Sequence, residues 1–291
     1  MKIRRYLATL LGMPRVNMAL TRGAVACHLR TVDPTDPRSW EFSGFSQNGE
    51  DGILDVLCRQ LLHPNRYFVE IGAGNGLENN TTWLALVHRY SGIWVEGNRG
   101  KSRRCRALFS GLSDGVESVP MFVTRESAPT LMRRIREHEP DVFSLDVDGV
   151  DFHVAQALLD AGLRAKICVV EYNAAFGPDM QVTVPYDARF RARRGHGHNL
   201  YFGCSIGAWI NFFEARGYRF VTVDQNGVNA FFVNTACVAP EFLDRVRGCR
   251  YRESFVRTKG YGHGWEQQFA LIASRPLTWI GGSPMRDVIA P

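Results

Sequence analysis

From residue 66 to residue 234 short apolar runs exchange with helical patterns, and that exchange leaves few architectures open. The runs are "RYFVEI", "GIWVEGN", "SVPMFV", "DVFSLDV", "AKICVVEYN", "YRFVTVD" and "GVNAFFVN". They do not alternate apolar with polar, as strands covered on both faces should not. Between them lie "NTTWLALVHRY", the 99–110 stretch, "APTLMRRIREH", "DFHVAQALLDAG" and "CSIGAWINFFEARG", with apolar residues at helical spacing. A further helix precedes them in "FSQNGEDGILDVLCRQLL", with Ser46 as the expected N-cap and acids in its first turn. Strand and helix in regular exchange predict an α/β fold with a parallel, doubly wound sheet. Only "QNG" separates the last two strands, which predicts a hairpin and so an antiparallel pair.

The first strand ends in an acid and runs into glycines: "YFVEIGAGNGLENN", residues 67–80. A dinucleotide loop reads G-x-G-x-x-G. Here Gly72 and Gly74 fit, but Leu77 occupies the third place and the third glycine falls at Gly76. Glycines at these positions let backbone pass close to a ligand. Glu70 can organise the loop and accept bonds from an amino group. The second strand ends in Glu96, placed to accept two ribose hydroxyls, a device that NAD-binding folds share.

The E-x-G-x-G-x-G loop, Glu96 and the terminal hairpin together resemble the class I S-adenosylmethionine-dependent methyltransferases. "FSQNGEDGIL", "FVEIGAGNGLENNT", "IWVEGN", "FSLDVDGVD", "VVEYN" and "GVNAFFV" look like the FkbM-like methyltransferases within that class, over about residues 45–235. The resemblance implies a Rossmann-like seven-stranded sheet, mostly parallel with an antiparallel last strand and helices on both faces. It implies S-adenosylmethionine bound by Gln47, Glu50 or Asp51, Glu70, Gly72, Gly74, Gly76, Glu96 and Asp146. It also implies O-methylation of a hydroxyl on a sugar, cell-surface glycan or natural product.

Ligands of open α/β sheets bind beyond the carboxyl ends of the strands. There the fourth strand ends in Asp146-Val147-Asp148 and the fifth in Glu171-Tyr172-Asn173. Two readings of these residues stay open. Asp146, Asp148, Glu171 and Asn173 are hard oxygen ligands for Mg²⁺ or another divalent cation, which would lower the pKa of an acceptor hydroxyl. Alternatively a carboxylate or histidine acts as general base without metal. His196 and His198, in "GHGHN", are the foremost histidine candidates, followed by His153 and His263. Asp151 reads as a helix N-cap. Asn229, a lone amide in an apolar strand, reads as facing the cleft, and Trp209 reads as core.

The formal net charge of +6 favours anionic partners. Part of it lies in "RGKSRRCR" (99–106) and "RFRARR" (189–194), the second suited to an acidic substrate. Nucleic acid is disfavoured, because "DVDG" stands where base N-methyltransferases carry [ND]-P-P-[YF], and no nucleophilic cysteine motif appears. A non-catalytic scaffold is the remaining alternative. The expected acceptor is a hydroxylated, anionic small molecule or glycan, and a homodimer is the expected assembly. The seven scattered cysteines, with no C-x-x-C, fit a reducing cytoplasm. Residues 1–40 read as a basic helical appendage and linker able to touch a membrane surface. Residues 41–236 read as the methyltransferase domain, and 237–291 as an extension packed on it.

Overall fold

Seven short strands form the central sheet of the computed structural model, which describes residues 2–192 and 199–281, with side chains from residue 12 onward. In chain order they are β1 (Tyr67–Ile71), β2 (Ser91–Glu96), β3 (Val116–Pro120), β4 (Val142–Leu145), β5 (Ile167–Glu171), β7 (Tyr218–Val223) and β8 (Asn229–Asn234). A two-stranded ladder, β6 (Val182–Thr183) with β9 (Thr278–Trp279), stands apart. The helices are α1 (Lys2–Leu29), α2 (Glu50–Arg59), α3 (Thr82–Val87), α4 (Arg99–Phe109), α5 (Ala128–Met132), α6 (Asp151–Asp160), α7 (Ile206–Glu214), α8 (Pro240–Arg245), α9 (Phe255–Tyr261) and α10 (Trp265–Ala270).

The sheet order is β3-β2-β1-β4-β5-β8-β7. The first five strands are parallel, and β8 enters antiparallel between β5 and β7. This is the mostly parallel seven-stranded sheet with an antiparallel last strand expected from the sequence. Every residue of β1 and β5 is buried, because each strand packs on both sides. Tyr67, Val69 and Ile71 point into the core with α5, α6 and α7, while Phe68 joins the opposite core with α2, α3 and α4. At the hairpin, Gly227 takes φ +67, and the Asp224 carboxylate accepts from the backbone N–H of Asn226, Val228 and Asn229.

The helix starts depart from expectation in one place. Gly49, at φ +93, is the N-cap of α2, not Ser46. Ser46 and Asp51 instead bond reciprocally. The Ser46 hydroxyl accepts from Asp51 N at 2.9 Å, and Asp51 Oδ2 accepts from the N–H of Gly44, Phe45 and Ser46 at 2.7, 2.7 and 2.9 Å. The segment before α2 is thus held against the helix, which places Gln47 at the sheet's carboxyl edge.

The amino-terminal region is more closely tied to the sheet than its composition implies. Helix α1 runs through Pro14 and buries Val16 and Ala19. Its Gly12 lies against Leu108 of α4, and its Gly23 against Trp83 of α3. The 33–40 stretch, expected as a linker, ends in a 3-10 turn (Pro37–Trp40) whose Trp40 is fully buried and stacks on Phe242 of α8. Among the described residues no helix is long and apolar enough to cross a membrane.

Candidate active site

A cleft of about 700 Å³ opens at the carboxyl ends of β1, β2, β4 and β5. Gln47, Gly72, Gly74, Glu96, Asp146, Asp148 and Glu171 line it. The topology causes this convergence: β1 is flanked by β2 and β4, so the loops leaving these strands meet over one edge.

On the β1–β2 side, the glycine loop forms the floor. Gly72 sits at φ +94, and a Cβ there would fall 1.6 Å from the Asp146 carbonyl oxygen. Gly74, at φ +59, has nothing within 4 Å of where its Cβ would stand, so its backbone lies bare to the cleft. Glu96 grips this loop from β2. Its Oε2 accepts from Gly74 N at 2.9 Å and its Oε1 from Asn98 N at 2.5 Å. Asn98 also caps α4, accepting from the N–H of Gly100 and Lys101. Past β3, Met121, Phe122 and Val123 supply an apolar wall, and Lys101 and Arg191 stand at the rim. Arg191 lies over the Phe122 ring, 3.8 Å from its centroid.

Three residues expected to touch a cofactor do not line the cleft. Gly76 turns away and packs on Phe109 and Cys105. Glu70 is buried and accepts from Asn79 Nδ2 (2.8 Å), Asn80 N (2.8 Å) and Thr81 Oγ1 (2.5 Å). It organises the turn after the glycines, but its carboxylate is spent there and not on a ligand's amino group. Glu50 accepts from Asn48 N (2.6 Å), Asn48 Nδ2 (2.8 Å) and Asn229 Nδ2 (2.7 Å). Through that last bond the Asn229 amide nitrogen ties β8 to α2, while its Oδ1 is buried without a partner and the residue is absent from the cleft lining. Of this amino-terminal group only Gln47 reaches the cavity.

On the β4–β5 side, Asp146, Asp148 and Glu171 each offer a carboxylate oxygen within 4.8 Å of the others. Asp148 adopts φ +53, a left-handed conformation uncommon outside glycine. Asp151 holds that turn. It is the first residue of α6 rather than its cap, and its carboxylate accepts from Val147 N (2.8 Å) and Gly149 N (2.9 Å). Burial raises the proton affinity of Asp146 and Glu171, the charges of Asp148 and Asp151 raise both further, and Arg257 opposes the rise at Glu171. Both carboxyls therefore take up a proton more readily than free side chains do. Glu171 Oε2 is buried with no hydrogen-bond partner.

Asn173 is not a ligand in this cluster. Its Oδ1 accepts from Ala175 N (3.0 Å) and Arg257 Nη1 (3.3 Å), and its Nδ2 donates to the carbonyls of Leu200 and Phe202 (2.6 and 2.9 Å). All its capacity goes to shaping the turn after β5. His153 is buried against the Val184 carbonyl at 2.9 Å and outside the cleft lining, and His263 is exposed. His196 and His198 lie outside the described residues. Trp209 is core, and its indole N–H donates to the Glu171 carbonyl at 2.9 Å, steadying the end of β5. Sequence reasoning missed Arg257, which pairs with Glu171 at 3.4 Å. Nothing local marks it, since 86 residues separate the two.

Several carboxyls around the sheet edge hold protons more tightly in the fold than in the unfolded chain. Burial pushes Glu70 and Asp51 up to about 7, and burial with the nearby Asp224 charge pushes Glu41 up to about 8. The stability they contribute is fully present below the unfolded carboxylate range near ~4 and is lost as pH rises through about 7 to 8. Thermal melts should therefore show Tm falling by ~5 °C or more from pH 5 to pH 9. A Tm that rises across this window would contradict the protonated burial of these groups.

No protein-family model matches the chain, and no curated protein sequence matches it. Among solved structures it is similar to an O-methyltransferase from Bacillus cereus in complex with SAH, at 16% identity and TM-score 0.42, over 75% of this chain and 89% of that one. It is similar to the O-methyltransferase TomG from Streptomyces achromogenes, involved in tomaymycin synthesis and in complex with SAM, at 18% identity and TM-score 0.41, over 74% and 95%. Cofactor-bound Rv0187 from MTB is a third, at 16% identity and TM-score 0.43, over 76% and 89%. Identities this low leave the activity to be argued from the cleft's own residues.

Proposed function

We propose that the chain is an S-adenosylmethionine-dependent methyltransferase that methylates a hydroxyl on a sugar, glycan or natural product. The observation that carries this reading is Glu96. Each of its carboxylate oxygens is pinned by one backbone N–H and retains lone pairs toward the cleft. Two such oxygens suit the vicinal hydroxyls of a ribose, with the apolar Met121–Val123 wall beyond them for a base. The bare Gly74 backbone then lies along the path toward Asp146 and Asp148, where a methionine moiety would end.

S-adenosylmethionine supplies an electrophilic methyl on a sulfonium, and a divalent cation would supply a Lewis acid for the acceptor oxygen. Asp146, Asp148 and Glu171 are the residues that would hold such a cation, and the unpartnered Glu171 Oε2 fits that role. The chain's own tasks are alignment of donor and acceptor and removal of one proton. Where no cation is bound, Asp146 is assigned the proton, since it lines the cleft beside Asp148 and Glu171. Lys101 and Arg191 favour an acceptor with anionic groups.

Calorimetric titration of S-adenosylmethionine and of NADH, with and without EDTA and Mg²⁺, tests the reading. S-adenosylmethionine should bind at roughly micromolar concentration and NADH should not. Glu96→Ala should weaken that binding by ~100-fold, the loss of two hydrogen bonds to a charged group. Absence of S-adenosylmethionine binding under every condition would sink the proposal and bring the scaffold alternative forward.

A further inference from the structure

We propose that Arg257 is a positioning residue of the acidic site and that the segment 249–257, which lies behind the cleft lining, acts on the cleft through Glu171. This rests on the reading of Asp146, Asp148 and Glu171 as the centre of a methyl transfer. Among the described residues Arg257 is the only cationic side chain in an ion pair with one of these three acids. Its guanidinium is fixed from three directions. Nη2 donates to Glu171 Oε1 at 3.4 Å, Nη1 donates to Asn173 Oδ1 at 3.3 Å, and the group lies 4.3 Å from the centroid of the Phe202 ring. The side chain is 18% exposed. Arg257 engages Oε1, while Oε2 is buried with no hydrogen-bond partner. A planar fork can serve two acceptors in different directions and stack at once, which an ammonium cannot.

The segment that delivers Arg257 is sewn across the ends of β5, β7 and β8. Val223 N donates to the Cys249 carbonyl at 3.0 Å, and the Tyr251 hydroxyl donates to the Ala174 carbonyl at 2.9 Å. The Tyr172 hydroxyl donates to the Arg252 carbonyl at 2.6 Å and accepts from Arg252 N at 3.2 Å. Phe255 N, at the start of α9, donates to the Asn226 carbonyl at 2.9 Å. Gly248 passes so close that a Cβ would fall 1.7 Å from the Val221 carbonyl oxygen. An element that only covered the sheet would not need its last anchored residues to reach Glu171.

The test uses the full chain carrying Arg257→Met, Arg257→Lys, Glu171→Gln and the Arg257→Met/Glu171→Gln pair. Arg257→Met should lower kcat by ~10–100-fold, as loss of an orienting partner does, while the S-adenosylmethionine dissociation constant stays within about threefold. Arg257→Lys should recover part of the rate. In thermal melts Arg257→Met should cost several degrees in the wild-type background and clearly less in the Glu171→Gln background, where the charge of its partner is gone while Asn173 and Phe202 still hold the guanidinium. Equal melting losses in both backgrounds, or an unchanged kcat, would overturn the proposal. A wild-type chain that neither binds S-adenosylmethionine nor transfers methyl would sink the proposed function and the catalytic half of this inference. The melting cycle would still decide whether Arg257 holds Glu171.

Discussion

Gly72→Ala should lower Tm by roughly 10 °C and abolish cofactor binding. Two costs add at this position. An alanine at φ +94 is held outside the regions open to L-residues, at about 1–3 kcal/mol. Its Cβ would also overlap the Asp146 carbonyl oxygen at 1.6 Å, and pushing the β4 end aside costs about 1–3 kcal/mol more. Together these reach about 2–6 kcal/mol, and each ~1 kcal/mol moves Tm of a domain this large by roughly 2–4 °C. Gly74→Ala is the contrast. Nothing stands within 4 Å of its Cβ, so the chain should fold with a loss of ~1 kcal/mol from φ alone. The added methyl would stand in the cleft, so S-adenosylmethionine affinity should still fall. Calorimetry and melting of both variants check this. Equal melting temperatures for the two would contradict the close approach at Gly72.

Asp146→Asn should reduce kcat by ~10²–10⁴-fold and leave S-adenosylmethionine affinity within a few-fold of wild type. Asparagine keeps the shape, but it cannot take a proton. In the wild type the rate should climb as pH rises past neutrality, because burial and the neighbouring acids raise the proton affinity of Asp146 and Glu171 and only the deprotonated pair can act as base. The variant should lose that climb. A kcat that is unchanged, or a pH profile that survives in Asp146→Asn, would move the proton to another group. Mg²⁺ and EDTA added to both proteins separate a base from a metal ligand: a ligand role makes wild-type activity chelator-sensitive.

The site was legible in proportion to how local its causes are. Gly72, Gly74 and Glu96 could be placed at the cleft because close backbone approach and a strand-end acid leave marks within a few residues. Gly76 and Glu70 belong to the same motif, yet one packs on α4 and the other feeds the 79–81 turn. Their residue types fit either role, and only the direction of each side chain separates the two. Asn173 reads as a ligand by proximity in sequence to Glu171, but four hydrogen bonds consume it. Asn229 reads as a cleft residue, but its amide donates to Glu50, 179 residues away.

The α/β class, the parallel run of five strands, the closing hairpin and the position of the cleft were determined by the sequence alone. Each follows from apolar periodicity, a turn dipeptide or a glycine spacing, which are short-range physical requirements of the backbone. The tertiary structure alone decided that α1 and Trp40 pack onto the sheet's helices, that Asn173 turns to the loop after β5 while the three acids expected beside it converge, and that Arg257 meets Glu171. These depend on which surfaces meet across tens to hundreds of residues. A buried carboxylate needs donors or an opposite charge, and those of Glu70 are local while the cation beside Glu171 comes from 86 residues away.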